Sequence, residues 1–135
     1  MAGYSGTPLV KKLGIKEGFI ISIINNPANY RELIGVFPNG VYEATKKSPQ
    51  ADFIHFFVKS KNELSERLPG LKKQLKPDGM IWISWYKKSS GITTDVSEEL
   101  IRAVALPLGL VDVKVCAVDE QWSGLKLVIR KENRK

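Results

Sequence analysis

The sequence predicts an α/β sandwich of Rossmann-like design, built on a mainly parallel sheet that closes with a C-terminal antiparallel hairpin. Three observations predict it. Apolar, β-branched runs at residues 19–24, 51–58 and 80–85 carry no polar face, the pattern of strands covered above and below. Segments with helical spacing and capping residues separate these runs. The last two strand-like segments, 111–116 and 125–130, instead alternate apolar with polar residues, which marks strands with one wetter face. Right-handed crossovers between parallel strands place helices on both sides of a sheet, so this order yields three layers. A chain of 135 residues with 43% hydrophobic content buries about two thirds of its unfolded surface, which fits one domain over residues 1–135.

Taken in order, Thr7 and Pro8 read as an N-cap with proline at the first helical position, and Gly14 stops that short helix; residues 1–17 form an entry arm. After the first strand, Asn26 and Pro27 cap a helix whose inner face is Tyr30, Leu33 and Ile34, with Gly35 as its stop. The turn Pro38-Asn39-Gly40 leads into a short edge strand at 41–45. Beyond the second apolar strand, Ser60 and Glu63 have the spacing of a capping box, and Leu64, Leu68, Leu71 and Leu75 share one helical face. Pro69 removes a donor within that helix and crowds the carbonyl of Ser65, so a kink or two short helices are expected. Lys76-Pro77-Asp78-Gly79 reads as a turn before the third apolar strand, and residues 86–93 as a polar loop. Asp95 then caps a helix with Glu98 three residues on; Leu100, Ile101 and Val104 face inward, and Pro107 with Gly109 ends it. Val111, Val113 and Val115 alternate with Asp112, Lys114 and Cys116, and Leu125, Leu127 and Ile129 with Lys126 and Arg130. These two strands form a hairpin at the sheet edge, and residues 131–135 read as a frayed tail.

Composition excludes several function classes. No apolar run approaches the roughly 20 residues of a membrane span, and the N-terminal residues lack the basic, apolar and small-residue succession of an export signal, so the cytoplasm is the expected location. The single cysteine, Cys116, rules out an internal disulfide and a multi-cysteine zinc site. His55 is the only histidine and lies in mid-strand between Ile54 and Phe56, away from the strand end a catalytic triad needs and without a second histidine for a metal. The expectation is therefore no metal and no catalytic residue. Net charge is +7, with the excess concentrated in residues 1–16, 59–91 and 121–135, while 17–58 and 92–120 are net negative.

The segment LKPDGMIWISW (residues 75–85), a helix, VDVKVCAVDE (111–120) and WSGLKLVIRK (122–131) together resemble the C-terminal half of class I S-adenosylmethionine-dependent methyltransferases. In that fold an LKPGG turn leads into the fifth strand and a closing hairpin follows. The whole chain, from AGYSGTPLVKKLGIK (2–16) through WSGLKLVIRK, resembles a bacterial domain-of-unknown-function family of short proteins, which implies no activity. The methyltransferase resemblance implies S-adenosylmethionine as cofactor, bound at a glycine-rich turn after the first strand. Here that strand runs into Asn25-Asn26-Pro27-Ala28, without glycine, and only Glu43 stands where the family places its ribose-binding acid. No cofactor is therefore expected, with S-adenosylmethionine as the alternative.

In open parallel sheets, ligands bind beyond the carboxyl ends of the strands, where the strand order reverses. If the first two apolar strands are neighbours, Asn25, Asn26, Lys59 and Ser60 line that crevice, and helices starting at Asn26 and Ser60 aim free backbone donors into it. Trp85 and Tyr86 end the third strand at the same edge, beside Lys87 and Lys88, and Trp122 lies in the hairpin turn. This collection suits a small anionic ligand, or a protein partner, at a domain without catalysis of its own. The alternatives are a methyltransferase with an altered cofactor site, and weak nucleic-acid binding in which aromatic and basic residues between Lys59 and Lys88 meet a single strand. A second copy of the chain is a further partner class; a membrane is not.

Overall fold

A computed structural model describes residues 8–45 and 50–134. Its elements are α1 (Leu9–Leu13), β1 (Ile20–Ile24), α2 (Tyr30–Ile34), β2 (Tyr42–Glu43), β3 (Ala51–Phe57), α3 (Lys61–Lys73), β4 (Leu75–Tyr86), α4 (Glu98–Ala105), β5 (Leu110–Ala117) and β6 (Trp122–Ile129). The expected Thr7 cap lies outside the described residues; Pro8 holds the N-cap position and Gly14, at φ 84°, ends α1. No helix among the described residues is long and apolar enough to cross a membrane.

Six strands form one sheet in the order β2-β1-β3-β4-β6-β5. The first four run parallel, and β6 pairs antiparallel with both β4 and β5. The chain thus leaves β1 toward β2 on one side and returns to β3 on the other, so the order reverses between β1 and β3. β3 explains the two-sided apolar pattern of its sequence. Phe53 and Phe57 pack with Leu13 of α1 and Tyr30 and Ile34 of α2, whereas Ile54 and Phe56 pack with Leu64, Leu68 and Leu71 of α3 and Ile101 of α4. Burying a side chain of this size contributes roughly 1.5–3 kcal/mol, so both faces of the central strands drive folding. Trp82 is fully buried, and its indole Nε1 donates to the Leu13 carbonyl at 2.8 Å, which ties α1 to β4.

Several expectations are corrected. α3 runs unbroken through Pro69. The leucine stripe seats the helix, and the carbonyl left without a partner belongs to Ser65, an exposed residue that water can reach. Lys76-Pro77-Asp78-Gly79 is not a free turn before a strand: β4 begins at Leu75, opposite Ala51, and its next partner is Met80, opposite Phe53, so residues 76–79 bulge from the strand. Asp52 holds this bulge, accepting from Lys76 Nζ at 3.0 Å and from the Ile20 amide at 2.8 Å. Gly79 has no room for a side chain, since a Cβ there would lie 2.7 Å from Leu75 Cδ1 and 3.0 Å from the Asp52 carbonyl oxygen. α4 is capped by Ser97, whose Oγ accepts from the Leu100 amide at 3.1 Å, and not by Asp95.

The valine alternation expected in β5 is also broken. Asp112 pairs with Leu127 and Lys114 with Lys126, so Val113 is inserted as a bulge. Beyond it the pleat changes sides: Val115 follows Leu125, while Lys114 and Cys116 follow Lys126 and Gly124 onto the opposite face. Val113 and Val115 are left 56% and 48% exposed on this edge strand. The stretch expected to fray winds into a 3-10 turn at Lys131–Asn133, and Arg134 Nε donates to the Ile129 carbonyl at 2.7 Å.

Candidate functional site

The parallel run β1-β3-β4 brings the loops after Ile24, Val58 and Trp85 to one rim of the sheet. Two contacts join them: Asn25 Nδ2 donates to the Phe57 carbonyl at 3.3 Å, and the Val58 amide to the Ser84 carbonyl at 2.9 Å. The rim holds two sites of different character.

The crevice between β1 and β3 is closed by the chain itself. Asn25 adopts φ 58°, the left-handed conformation that asparagine tolerates better than other non-glycine residues, and so turns the chain without the glycine of the methyltransferase pattern. Its side-chain amide also donates to Glu63 Oε2 at 2.8 Å. Ser60 caps α3, its Oγ accepting from the Glu63 amide at 3.2 Å. The other half of the expected capping box is shifted, because Glu63 Oε1 accepts from the Lys59 amide at 3.5 Å. Asp95 arrives from the loop after β4 and accepts from the Lys61 amide at 2.8 Å, while Thr94 Oγ1 donates to the Lys59 carbonyl at 2.7 Å. Asp95 and Ser60 thus accept from two amides of the first turn of α3, those of Lys61 and Glu63, and the Glu63 carboxylate lies beside them on the Lys59 amide. The second helix start expected here is absent. α2 begins at Tyr30, its N-cap position is Asn29 without a side-chain bond, and the Asn26 amide donates only to the adjoining Pro27 carbonyl at 3.4 Å.

The second site is a pocket of about 380 Å³ between the end of β4 and the loop into α4. Trp85, Tyr86 and Lys88 line it together with Ile92, Thr93 and Asp95. Of the expected site residues, these three are gathered here; Asn25, Asn26, Lys59 and Ser60 belong to the closed crevice, and Lys87 turns its backbone amide to the Gln121 carbonyl at 2.8 Å. Sequence reasoning passed over residues 91–97, read as loop and helix cap; its signal was a run of hydroxyl and small apolar residues following a basic loop. Among the described residues, the side chains of Lys88 and Thr93 make no hydrogen bond, and Asp95 Oδ2 takes none. Tyr86 stacks on Trp122 with centroids 4.0 Å apart, which firms one wall.

Beneath the crevice lies a third polar group that sequence reading took for core. His55 is fully buried and hydrogen-bonds Tyr30 Oη through Nδ1 at 3.0 Å and Ser84 Oγ through Nε2 at 2.7 Å. Burial pushes its pKa down to about 3, so the ring is neutral at pH 7. Burial, with the Glu43 carboxylate, pushes the Tyr30 phenol up. Both ring nitrogens are engaged within the chain, and the ring is shut off from solvent. Among the described residues no group of three metal-ligating side chains occurs.

No family model matches the chain, and no curated protein does. Solved structures do. An S-adenosylmethionine-dependent methyltransferase from Aquifex aeolicus superposes with a TM-score of 0.58 at 14% identity, over 90% of this chain and 88% of that one. Magnesium protoporphyrin IX methyltransferase from Synechocystis PCC 6803, with bound S-adenosylhomocysteine, gives 0.56 at 12%, over 90% and 78%. A type 11 methyltransferase described as putative, from Sulfolobus solfataricus, gives 0.55 at 17%, over 85% and 87%. The described chain therefore has the Rossmann-like fold of S-adenosylmethionine-dependent methyltransferases, with a mainly parallel sheet and antiparallel C-terminal strands.

Proposed function

We propose that the chain binds a nucleoside-type ligand of the S-adenosylmethionine class on the strand-end rim, seated in the pocket after β4. The observation that carries this reading is a difference along the rim: at the β1–β3 crevice the Asn25 side-chain amide and the backbone amides of Lys59, Lys61 and Glu63 are bonded within the chain, whereas in the pocket Lys88, Thr93 and Asp95 Oδ2 make no hydrogen bond among the described residues. Its volume lies in the range of small-molecule sites. Lys88 suits the ligand's carboxylate, Asp95 Oδ2 accepts from ribose hydroxyls, and the Trp85 edge with Ile92 offers apolar surface to the base. The proposal is one of binding; no side chain in the pocket is assigned a part in methyl transfer.

The small-anion reading finds less support, because Glu63 and Asp95 place negative charge at the helix end where an anion would sit. Calorimetric titration with S-adenosylmethionine and S-adenosylhomocysteine tests the choice, with tryptophan fluorescence as a second readout because Trp85 borders the pocket. Saturable heat below millimolar concentration is expected, and absence of heat at millimolar ligand removes the proposal. A rise in melting temperature with phosphate alone would restore the anion reading.

A further inference from the structure

Four lysines from three separate segments meet on the sheet face that α1 covers. Lys126 of β6 stands directly opposite Lys114 of β5, and on its other side β6 places Lys126 opposite Trp82, the residue that α1 covers. Lys12 reaches from α1 to the end of β5, where its Nζ donates to the Ala117 carbonyl at 3.1 Å. Lys16, three residues beyond α1, is close enough for its ammonium to act on Lys126. Lys114 and Lys16 are exposed and Lys126 is half-buried.

This arrangement is electrostatically unrelieved. Like charges directly opposite in an antiparallel pair destabilise it. Burial pushes the Lys126 pKa down, and the ammonium groups of Lys114 and Lys16 push it further. The ion pairs among the described residues join Lys76 to Asp52 and Arg102 to Glu98 and Asp112; none involves these four lysines. Residues 1–7, 46–49 and 135 contain no aspartate or glutamate. A face that keeps four positive charges together at some expense in stability is suited to an anionic partner.

We propose that this α1–β6–β5 face is a sequence-independent docking surface for the phosphodiester backbone of a nucleic acid. Three features select that occupant. Two of the lysines lie side by side on strands of a sheet face, the other two on and after α1, and none lines the pocket after β4, so an extended polyanion matches them better than an enclosed small one. Among the described residues no exposed aromatic side chain adjoins them, Trp82 and Trp122 being buried, which favours contact through phosphates over stacking on bases. The chain as a whole carries +7, which favours approach to a polyanion. This places the contact away from Lys87 and Lys88 and does not depend on ligand binding in the pocket.

Fluorescence anisotropy with a labelled mixed-sequence DNA duplex, titrated with the full chain over a range of salt, tests the proposal. Four phosphate contacts imply a log–log salt slope of about −3.6, hence roughly a 150-fold loss of affinity between 50 and 200 mM salt. Replacing Lys114→Gln and Lys126→Gln together should halve the slope to about −1.8 and weaken low-salt binding at least tenfold. The same double variant removes a like-charge pair, so circular dichroism should show it folded; Lys16→Gln alone is a second probe and should lower the slope by about 1. Lys87→Gln with Lys88→Gln should leave the slope unchanged. The proposal is overturned if the wild-type chain does not bind duplex at low salt. It also fails if the Lys114/Lys126 variant binds like wild type, if the rim variant carries the loss, or if polyglutamate or phosphatidylserine vesicles bind as tightly as duplex at equal charge.

Discussion

The two ends of the rim show how differently polar groups can be spent in one fold. At the β1–β3 crevice, Asn25, Glu63, Ser60 and Asp95 satisfy one another and the α3 amides, and beneath them Tyr30, His55 and Ser84 form a buried chain with no free partner. At the pocket after β4, the side chains of Lys88 and Thr93 make no hydrogen bond with any of the described residues. A helix N-terminus at a switch point is a ready anion site only while its donors are free. Here the chain supplies the carboxylates itself, so that corner works as a structural clasp, and the proposed ligand site lies one loop along.

The largest test of this contrast is acid sensitivity. His55 has a folded pKa depressed to about 3 against an ordinary 6.5, so the unfolded chain binds more protons between those values. The stability it contributes is fully present above 6.5 and falls as pH drops toward 3, with a slope of up to about 1.4 kcal/mol per pH unit. Urea denaturation across that window should show the slope, and His55→Phe should flatten it; an unchanged slope would assign the effect to other groups. Next in size, Asn25→Val should cost about 2–3 kcal/mol, combining left-handed strain in a β-branched residue with two lost hydrogen bonds. Asn25→Gly, which keeps the backbone angle, should cost about 1 kcal/mol, and equal losses in the two variants would refute the role given to φ. Glu63→Ala should cost about 1 kcal/mol, freeing the Asn25 side-chain amide and the Lys59 amide and removing a negative charge beside the α3 N-terminus, so that phosphate raises the melting temperature of this variant and not that of wild type. Smallest of all, Thr93→Ala should shift stability by less than about 0.5 kcal/mol, because it breaks no internal bond, while weakening S-adenosylmethionine binding.

The contrast also marks what was legible in the sequence. The fold class followed from the apolar runs at β1, β3 and β4, since strands buried on both faces can only lie between helical layers. The rim followed as well, because parallel neighbours end together. Asp95 was misassigned because it has the residue type of a local cap while its partner is set by neither spacing nor propensity, whereas Asn26, of the same type, bonds only the adjoining Pro27 carbonyl because α2 starts later, at Tyr30. Asp95 caps α3, 34 positions back in the chain, a contact created only when two loops fold onto one edge. The lysine face was hidden for the same reason, its members being separated in sequence by up to 114 positions between Lys12 and Lys126 and brought into line by strand register. The bulge at Val113 was invisible because an inserted residue leaves the alternation of letters intact while reversing the faces they occupy.

That same bulge governs how the molecule ends. β5 is the last strand of the sheet, and its outer row of amides and carbonyls would otherwise accept a strand from any neighbouring molecule. An extra residue at Val113 skews the row, and the charged Lys114 beside it penalises a second sheet laid alongside. The exposed valines are therefore held in a geometry that resists fibrillar growth, and removing Val113 would restore a straight, sticky border.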